Sequence, residues 1–242
     1  MCTVTVIPMG CGSFRLVTNR DELRDRPAAM PPREHTLEGG LRALWPVDPV
    51  GGGTWIGAAE HGLVLTVLNL NLPAGPARGS VSRGGLIPRL LGERDVAGVR
   101  EAIGAVGFDD YAPFRLLAVD RSKELIVRWD GADLTVEEQD LRALCLVSSG
   151  LGDHRVAARL ELFEEFRAEH GETVSMQDAF HGHVWAGREE ISVLMSRREA
   201  RTVSTTSVEV SADCILMQYR DDAGMHPSRA IDLTDRRERV SC

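Results

Sequence analysis

Residues 1–22 read MCTVTVIPMGCGSFRLVTNRDE, the stretch that says most about how the chain folds. Val and Ile recur among polar residues over 3–7, and a second such run covers 13–18, which predicts two β-strands. The segment 8–12 contains Pro and Gly and is typical of a turn. We therefore predict that the chain begins with a β-hairpin and that the string NRDE (19–22) lies where the second strand ends.

Cys2 directly follows the initiator methionine, and this position gives it a special chemistry. Because its side chain is small, we expect methionine removal to expose Cys2 as the mature amino terminus. A thiol with a pKa near ~8.5 and an amine with a pKa near ~7.7–8.0 would then share one residue. The neutral amine can take the thiol's proton directly or through a water, so Cys2 is a candidate nucleophile. The alternative is a small apolar residue that starts the first strand.

The composition is that of a soluble globular protein, with 242 residues, 43% hydrophobic and 26% charged. The net charge of −8 argues against nucleic acid or an anionic membrane surface as the main partner. No apolar run approaches the ~20 residues that span a bilayer, and the amino terminus does not resemble a signal peptide. The five cysteines are scattered and form no CxxC pair, which favours reduced thiols in the cytoplasm over disulfides or structural zinc.

The rest of the chain predicts strands in its first third and last part, with helices in the middle and late segments. The Pro- and Arg-rich segment 26–49 is typical of a long exposed loop. The predicted strands are 54–57, 63–72, 114–119, 125–129, 191–195, 202–210 and 214–219, and the predicted helices are 85–103, broken near Gly92, and 153–170, with Asp153 as N-cap. From these runs we predict a single α/β domain over residues 1–242 with much antiparallel sheet.

Several short motifs occur in a fixed order along the first 90 residues. They are Cys2, NRDE (19–22), GGTWIG (52–57), Leu68-Asn69 and Ser82-Arg83-Gly84. This set resembles the NRDE family, also called the transport and Golgi organisation protein 2 family. That family is similar to N-terminal-nucleophile hydrolases of the choloylglycine hydrolase and penicillin acylase type. The resemblance implies an α+β fold, an αββα sandwich of two antiparallel sheets between helical layers, with Cys2 presented at one end of the sheets.

The resemblance also implies roles for individual residues. Cys2 would be the nucleophile and its own amine the general base. The Asp21 carboxylate would hold that amine, and the Arg20 guanidinium would lower the thiol's pKa by stabilising the thiolate. Asn69 stands where the relatives have an amide donor for an oxyanion. Arg201 corresponds to a late arginine that would complete the electrostatics around Cys2.

One position departs from the relatives' pattern. They carry a second Asn after the middle strand, where 146–150 stands here, and Ser149 is the equivalent that the resemblance implies. Ser149 is one expected substrate-binding residue, and Trp55 and Arg83 are the others. Trp55 could be a core residue or a pocket wall, and Arg83 could start the following helix or line the pocket mouth and attract an anionic ligand.

Some of these residues also have purely structural interpretations. Arg20 and Asp21 could form a salt bridge that fixes the hairpin, and Asn69 could be a turn residue. The pair of histidines in 181–183 shares a face only on a strand and has no third ligand at a metal-like spacing, so we predict no metal site.

Two functions remain open on the sequence. The first is a cysteine hydrolase or acyltransferase acting on a small non-peptide amide or thioester without a cofactor, which the joint presence of Cys2, Arg20 and Asp21 favours. The second is a non-catalytic protein that binds and carries haem or a lipid or acyl-coenzyme A ligand on the same scaffold, which Ser149 favours. Neither the acyl group nor the oligomeric state follows from the sequence.

Overall fold

The computed structural model describes residues 2–72 and 79–233, so Met1, whose removal we expect, lies outside them. The strands are β1 Cys2–Gly10, β2 Ser13–Leu23, β3 Met30–Thr36, β4 Arg42–Val47, β5 Ile56–Ala59, β6 Val64–Asn69, β7 Phe114–Val119, β8 Lys123–Trp129, β9 Leu134–Asp140, β10 Leu144–Val147, β11 Ala200–Val210, β12 Cys214–Asp221, β13 Gly224–Met225 and β14 Arg229–Asp232. The helices are α1 Leu86–Leu90, α2 Val96–Ile103, α3 Ala158–His170 and α4 Val174–His181. None of these helices is long and apolar enough to cross a membrane.

The described strands form two seven-stranded antiparallel sheets. The first sheet has the order β10-β1-β2-β11-β12-β13, with β14 also paired to β12. The second runs β3 to β9 in chain order, so each strand pairs with its neighbour in sequence. The amino-terminal hairpin therefore lies within the first sheet, between β10 and β11.

Two helical layers cover the outer faces of the two sheets. Apolar residues of both sheets, such as Val4 and Leu117, pack together in the inner core between them. The helices α1 and α2 pack on the second sheet, and α3 and α4 pack on the first. This arrangement confirms the predicted α+β sandwich of two antiparallel sheets between helical layers.

The β1–β2 hairpin closes through three residues with positive φ. Gly10, Cys11 and Gly12 have φ values of 82°, 52° and 70°, a conformation that glycine adopts without steric cost. The second strand then continues to Leu23. Residues 19–22 therefore lie at the strand's end as predicted, but within the strand rather than after the predicted run 13–18. Asn19 and Arg20 pair with both β1 and β11, whereas Asp21 and Glu22 pair with β11 alone.

The segment 26–49 is not the predicted loop, since it contains β3 and β4. The strand β4 is mostly buried, whereas β3 is the edge of its sheet. An edge strand tolerates Pro and charged side chains because one row of its backbone groups needs no partner. That tolerance explains why the composition of β3 is typical of a loop.

Two other predicted elements differ from the structure. Residues 153–156 form a 3-10 turn ahead of α3, so Asp153 is not the N-cap of that helix. The predicted strand 191–195 begins at the end of another 3-10 turn, Glu189–Ile191, and continues without regular structure. Val193 packs against α4 and Ile191 packs against Val156, so this apolar run is buried without forming a strand.

Candidate active site

Cys2 lies at the start of β1 and lines a cavity of about 520 Å³. Its side chain points into the space between the sheets, on the same face as Val4. Four other predicted site residues line this cavity: Arg20, Trp55, Asn69 and Arg83. We refer to it as the Cys2 cavity.

Arg20 stands directly across from Cys2 in the β1–β2 pair, so the two side chains share one face of the sheet. Its guanidinium is buried and stacks over the Trp55 ring, with the guanidinium carbon 4.4 Å from the ring centroid. Its Nη2 donates to Asp48 Oδ2 at 2.8 Å. The cation is thereby held beside the thiol by a carboxylate and an aromatic face.

Asp48 is the centre of an ion cluster at the mouth of this cavity. It accepts from Arg26 Nη2 at 2.6 Å in addition to Arg20, and Glu22 lies 3.5 Å from the Arg20 guanidinium. Burial acts against the ionised form of Asp48, but hydrogen bonds from Arg26 and from two backbone N–H groups hold its pKa below the usual value. Asp48 and Arg26 were not among the predicted site residues, because both lie in the segment that was expected to be a loop.

The Cys2 thiol is 5% exposed, and burial raises its pKa. Arg20 acts in the opposite direction and lowers the thiol's pKa, as expected, but burial outweighs its effect. A thiol in this environment stays protonated until a base takes its proton.

Asp21 points to the opposite face of β2, away from Arg20. It is 1% exposed, accepts a hydrogen bond from Thr202 Oγ1 at 2.6 Å, and lies 3.8 Å from Arg159 Nη1. Burial raises its pKa, and Arg159 is the strongest opposing influence. Because Arg20 pairs with Asp48 and Asp21 pairs with Arg159, a salt bridge between Arg20 and Asp21 does not fix the hairpin.

Two polar residues lie across the Cys2 cavity from the first sheet. Asn69 is the last residue of β6, and Arg83 donates from Nη1 to the Pro113 carbonyl at 3.0 Å. Both line the cavity. An amide and a guanidinium are thus available on the side opposite the thiol.

Glycines explain why two of the sequence motifs occur together. A Cβ added to Gly53 would lie 2.5 Å from the carbonyl carbon of Gly84, which no real side chain allows. The Thr54 N–H donates to the Gly84 carbonyl at 3.1 Å. The loops that carry GGTWIG and Ser82-Arg83-Gly84 therefore pack backbone against backbone, and this contact brings Arg83 to the cavity.

Ser149 is buried beside β1 but does not line the Cys2 cavity. Its N–H donates to Asp153 Oδ1 at 2.9 Å, and its hydroxyl accepts from the Leu151 N–H at 3.2 Å. The adjacent Ser148 is closer to the nucleophile, since its N–H donates to the Cys2 carbonyl at 2.8 Å. The structure therefore does not place the Ser149 hydroxyl among the groups that face the thiol.

Arg201 also lies outside the Cys2 cavity. It is paired in register with Glu22 rather than with Arg20, and its guanidinium forms an ion pair with Asp222. It lines a neighbouring cavity of about 300 Å³, which shares Arg20 with the first. The structure separates Arg201 from the thiol because Asp222, in the turn that follows β12, holds its guanidinium there.

Within residues 2–72 and 79–233, no group of three His, Cys, Asp or Glu side chains is arranged to hold a metal ion. His181 ends α4 and is buried, with Nε2 2.8 Å from Thr5 Oγ1. Its contact is with the outer face of β1, so it supports the sheet rather than the cavity.

Comparisons with known proteins agree with this fold. The family model described as Transport and Golgi organisation 2 matches residues 1–222. The C2A mutant of conjugated bile acid hydrolase from Clostridium perfringens is 13% identical, with a TM-score of 0.58 over 97% of this chain and 93% of that one. A Caenorhabditis elegans N-acylethanolamine-hydrolyzing acid amidase orthologue is 9% identical, with a TM-score of 0.56 over 86% and 92%. The comparison with curated proteins gave no match. These neighbours establish an N-terminal-nucleophile hydrolase fold.

Proposed function

The chain belongs to the Transport and Golgi organisation 2 family, and we propose that it is a cysteine hydrolase or acyltransferase whose nucleophile is the Cys2 thiol. The observation that carries this proposal is the position of Cys2, at the start of β1 on the wall of a 520 Å³ cavity, with Arg20 opposite it on the same face. Removal of Met1 would place the free amine on the residue that carries the thiol.

The first chemical step is proton transfer within Cys2. Because burial raises the thiol's pKa, little thiolate forms spontaneously, and the neutral α-amine takes the proton directly or through a water. The sulfur then attacks the substrate's carbonyl carbon, and the negative charge moves to the carbonyl oxygen. Arg20 stabilises the anionic sulfur as the proton leaves.

The second step is collapse of the tetrahedral intermediate. Asn69 supplies an amide donor to the oxyanion, a contact worth about 3–4 kcal/mol in a site that excludes water. The carbon–nitrogen or carbon–sulfur bond breaks, and the leaving group takes the proton held by the amine. Water, or an acceptor amine or thiol in the case of acyl transfer, then attacks the thioester and regenerates the Cys2 thiol.

The substrate we propose is a small non-peptide amide or thioester. A cavity of 520 Å³ is in the range of small-molecule sites, and Trp55 and Arg83 on its wall offer an apolar surface and a cation. The reaction draws on the thiol, the amine and these side chains alone. We place it in the cytoplasm, where the four free cysteines in the described residues would stay reduced.

The test is intact-mass analysis of the purified protein before and after treatment with a p-nitrophenyl ester of a short acyl chain. We expect a mass without Met1 and a single fast acyl adduct that hydroxylamine releases, as it does a thioester. Cys2→Ala should remove this adduct. Among the described cysteines, Cys11 is the exposed one, so Cys11→Ser is the matched control and should leave the fast adduct unchanged.

Retained Met1, or labelling that persists in Cys2→Ala, would contradict the proposal. Titration of the same samples with haem and with an acyl-coenzyme A would then test the carrier function. In that function Cys2 is a ligand rather than a nucleophile, so saturable binding without acyl transfer would support it.

A further inference from the structure

Arg159 is the largest fully buried side chain in the described part of the protein. It comes from the first turn of α3 and is 1% exposed. Burying a guanidinium is costly unless its donors find acceptors and its charge finds a partner. A buried arginine in the layer that covers the first sheet therefore needs an explanation that packing alone does not provide.

The partners of Arg159 all lie around the start of β1. Its Nη1 donates to Thr3 Oγ1 at 2.7 Å, and its Nε donates to the Ile191 carbonyl at 3.0 Å. The same Nη1 lies 3.8 Å from Asp21 Oδ2. Arg159 thus contacts the residue next to Cys2 in sequence and also the carboxylate beside Arg20.

Asp21 faces several other groups, which we consider together. Thr202 on β11 donates to it, Arg197 ahead of β11 adds a positive charge, and the Cys2 thiol interacts with it electrostatically from the other face of the sheet. Of the charged groups, Arg159 has the strongest effect in keeping the carboxylate ionised. The Asp21–Arg159 pair is therefore the main electrostatic influence beneath the start of β1.

We propose that Arg159 is a positioning residue for the Cys2 amine: it balances the charge of Asp21 and anchors β1 through Thr3. This inference rests on the proposed function, because it concerns the amine that acts as base. Once Met1 is removed, the amine would donate a hydrogen bond to Asp21, and with Arg159 present it would still lose its proton near neutral pH.

Removing the positive charge of Arg159 changes this balance in a defined direction. The amine and the Asp21 carboxylate then titrate as a coupled pair, and the proton that stays on the more basic amine removes the free base. Loss of a nearby cation raises the pKa of such a pair. The amine accepts the thiol's proton only when the pair is deprotonated, so the reactivity of Cys2 should shift to higher pH.

The experiment measures the rate of Cys2 alkylation by iodoacetamide as a function of pH, in full-length protein carrying Cys11→Ser, with peptide mapping of the modified site. Alkylation reports thiol activation without requiring acyl transfer. Arg159→Gln keeps hydrogen-bonding capacity and loses the charge, whereas Arg159→Lys keeps the charge. Arg167→Met, on the same helix with its cation paired to Glu164 and Glu172, is the matched control.

We expect the midpoint in Arg159→Gln to rise by about one pH unit or more, with alkylation at pH 7 about ten-fold slower. Arg159→Lys should restore most of the wild-type profile, and Arg167→Met should match it. A folded Arg159→Gln protein with the wild-type profile would overturn the inference. If Arg159→Gln does not fold, Arg159→Met removes the same charge and replaces it in the experiment. An Arg159→Lys protein whose alkylation profile matches that of the uncharged variant would also overturn the inference.

The two proposals fail in distinguishable ways. A charge-dependent shift of alkylation without any acyl adduct in the wild type would uphold the positioning role and contradict the hydrolase. Acyl transfer at Cys2, together with the same pH profile of alkylation in Arg159→Gln as in the wild type, would uphold the hydrolase and contradict the positioning role.

Discussion

The two helical layers of the sandwich meet their sheets in different ways. On the second sheet, α1 and α2 pack mainly through apolar side chains, including Leu90 and Val99, and the ion pair of α2 with this sheet, Arg100–Glu138, is largely exposed. On the first sheet, α3 and α4 bring buried polar groups such as Arg159 and His181 against the outer face of β1 and β2. The apolar layer stabilises the fold, whereas the polar layer also fixes residues beside Cys2. A site can therefore be supported from behind the sheet as well as from within its cavity.

The largest effect should come from breaking the buried ion pair. We expect Asp21→Asn to lower the free energy of unfolding by about 3–5 kcal/mol, because it leaves the Arg159 charge buried without its carboxylate partner. Urea denaturation at pH 7 measures this. The double variant Asp21→Asn/Arg159→Gln should lose less than the sum of the single losses. Additive losses would show that the two groups do not interact.

A substitution in the apolar layer should affect stability without affecting the site. Leu90 lies on the buried face of α1, and Leu90→Ala should cost about 2–4 kcal/mol through lost burial and a residual cavity. The rate of Cys2 alkylation at pH 7 should stay at the wild-type value. Leu160→Ala, at a 40% exposed position of α3, is the control and should cost well under 1 kcal/mol. A slower Cys2 reaction in Leu90→Ala would remove the distinction between the layers.

The polar layer should also make stability depend on pH. Burial, with Arg15 and Arg159 nearby, lowers the pKa of His181 to about 3, against about 6.5 in an unfolded chain. The unfolded state therefore binds the proton first, and stability falls as the pH drops from 6.5 towards 3, by up to about 1.4 kcal/mol per pH unit.

His181→Gln should flatten this part of the profile, as measured by urea denaturation between pH 7 and pH 4. The half-exposed His170 on α3 is the control, and His170→Gln should keep the wild-type slope. An unchanged slope in His181→Gln would assign the acid sensitivity to other groups.

The smallest effect should come from the contact between α1 and β5. A Cβ on Gly57 would lie 2.6 Å from Leu91 Cδ1 and 3.0 Å from Ile87 Cγ2. Because the closer atom, Leu91 Cδ1, is the end of a side chain that can move, Gly57→Ala should cost about 1 kcal/mol. Thermal unfolding measures it, and pairing with Leu91→Ala should recover part of the loss. If Leu91→Ala does not reduce the stability cost of Gly57→Ala, that cost arises from the backbone at Gly57 rather than from the contact with Leu91.

The hairpins could be predicted from the sequence because turn residues and β-branched runs are local signals. The strand β3 was not predicted, because an edge strand tolerates charged residues and Pro and its composition is therefore typical of a loop. The position of Cys2, Arg20, Trp55, Asn69 and Arg83 around one cavity followed from the family resemblance, and no property of the residues alone predicts it.

The role of Arg159 could not be predicted in the same way. Helical periodicity in 153–170 points to Leu160 as a core residue, yet Leu160 is exposed and Arg159 is buried. The helix is rotated so that a cation reaches acceptors on β1 and β2, which lie more than a hundred residues away in sequence. A local pattern contains no information about such distant partners.

The alternation of β2 has a consequence for how the NRDE motif is read. Exchanging Arg20 and Asp21 would preserve the composition, the net charge and the length of the motif. It would nevertheless turn a carboxylate towards the thiol and place a second guanidinium against Arg159. The order of these two letters is therefore the informative part of the motif, and a search or a design that scores only residue content would accept a sequence in which both charges face the wrong side of the sheet.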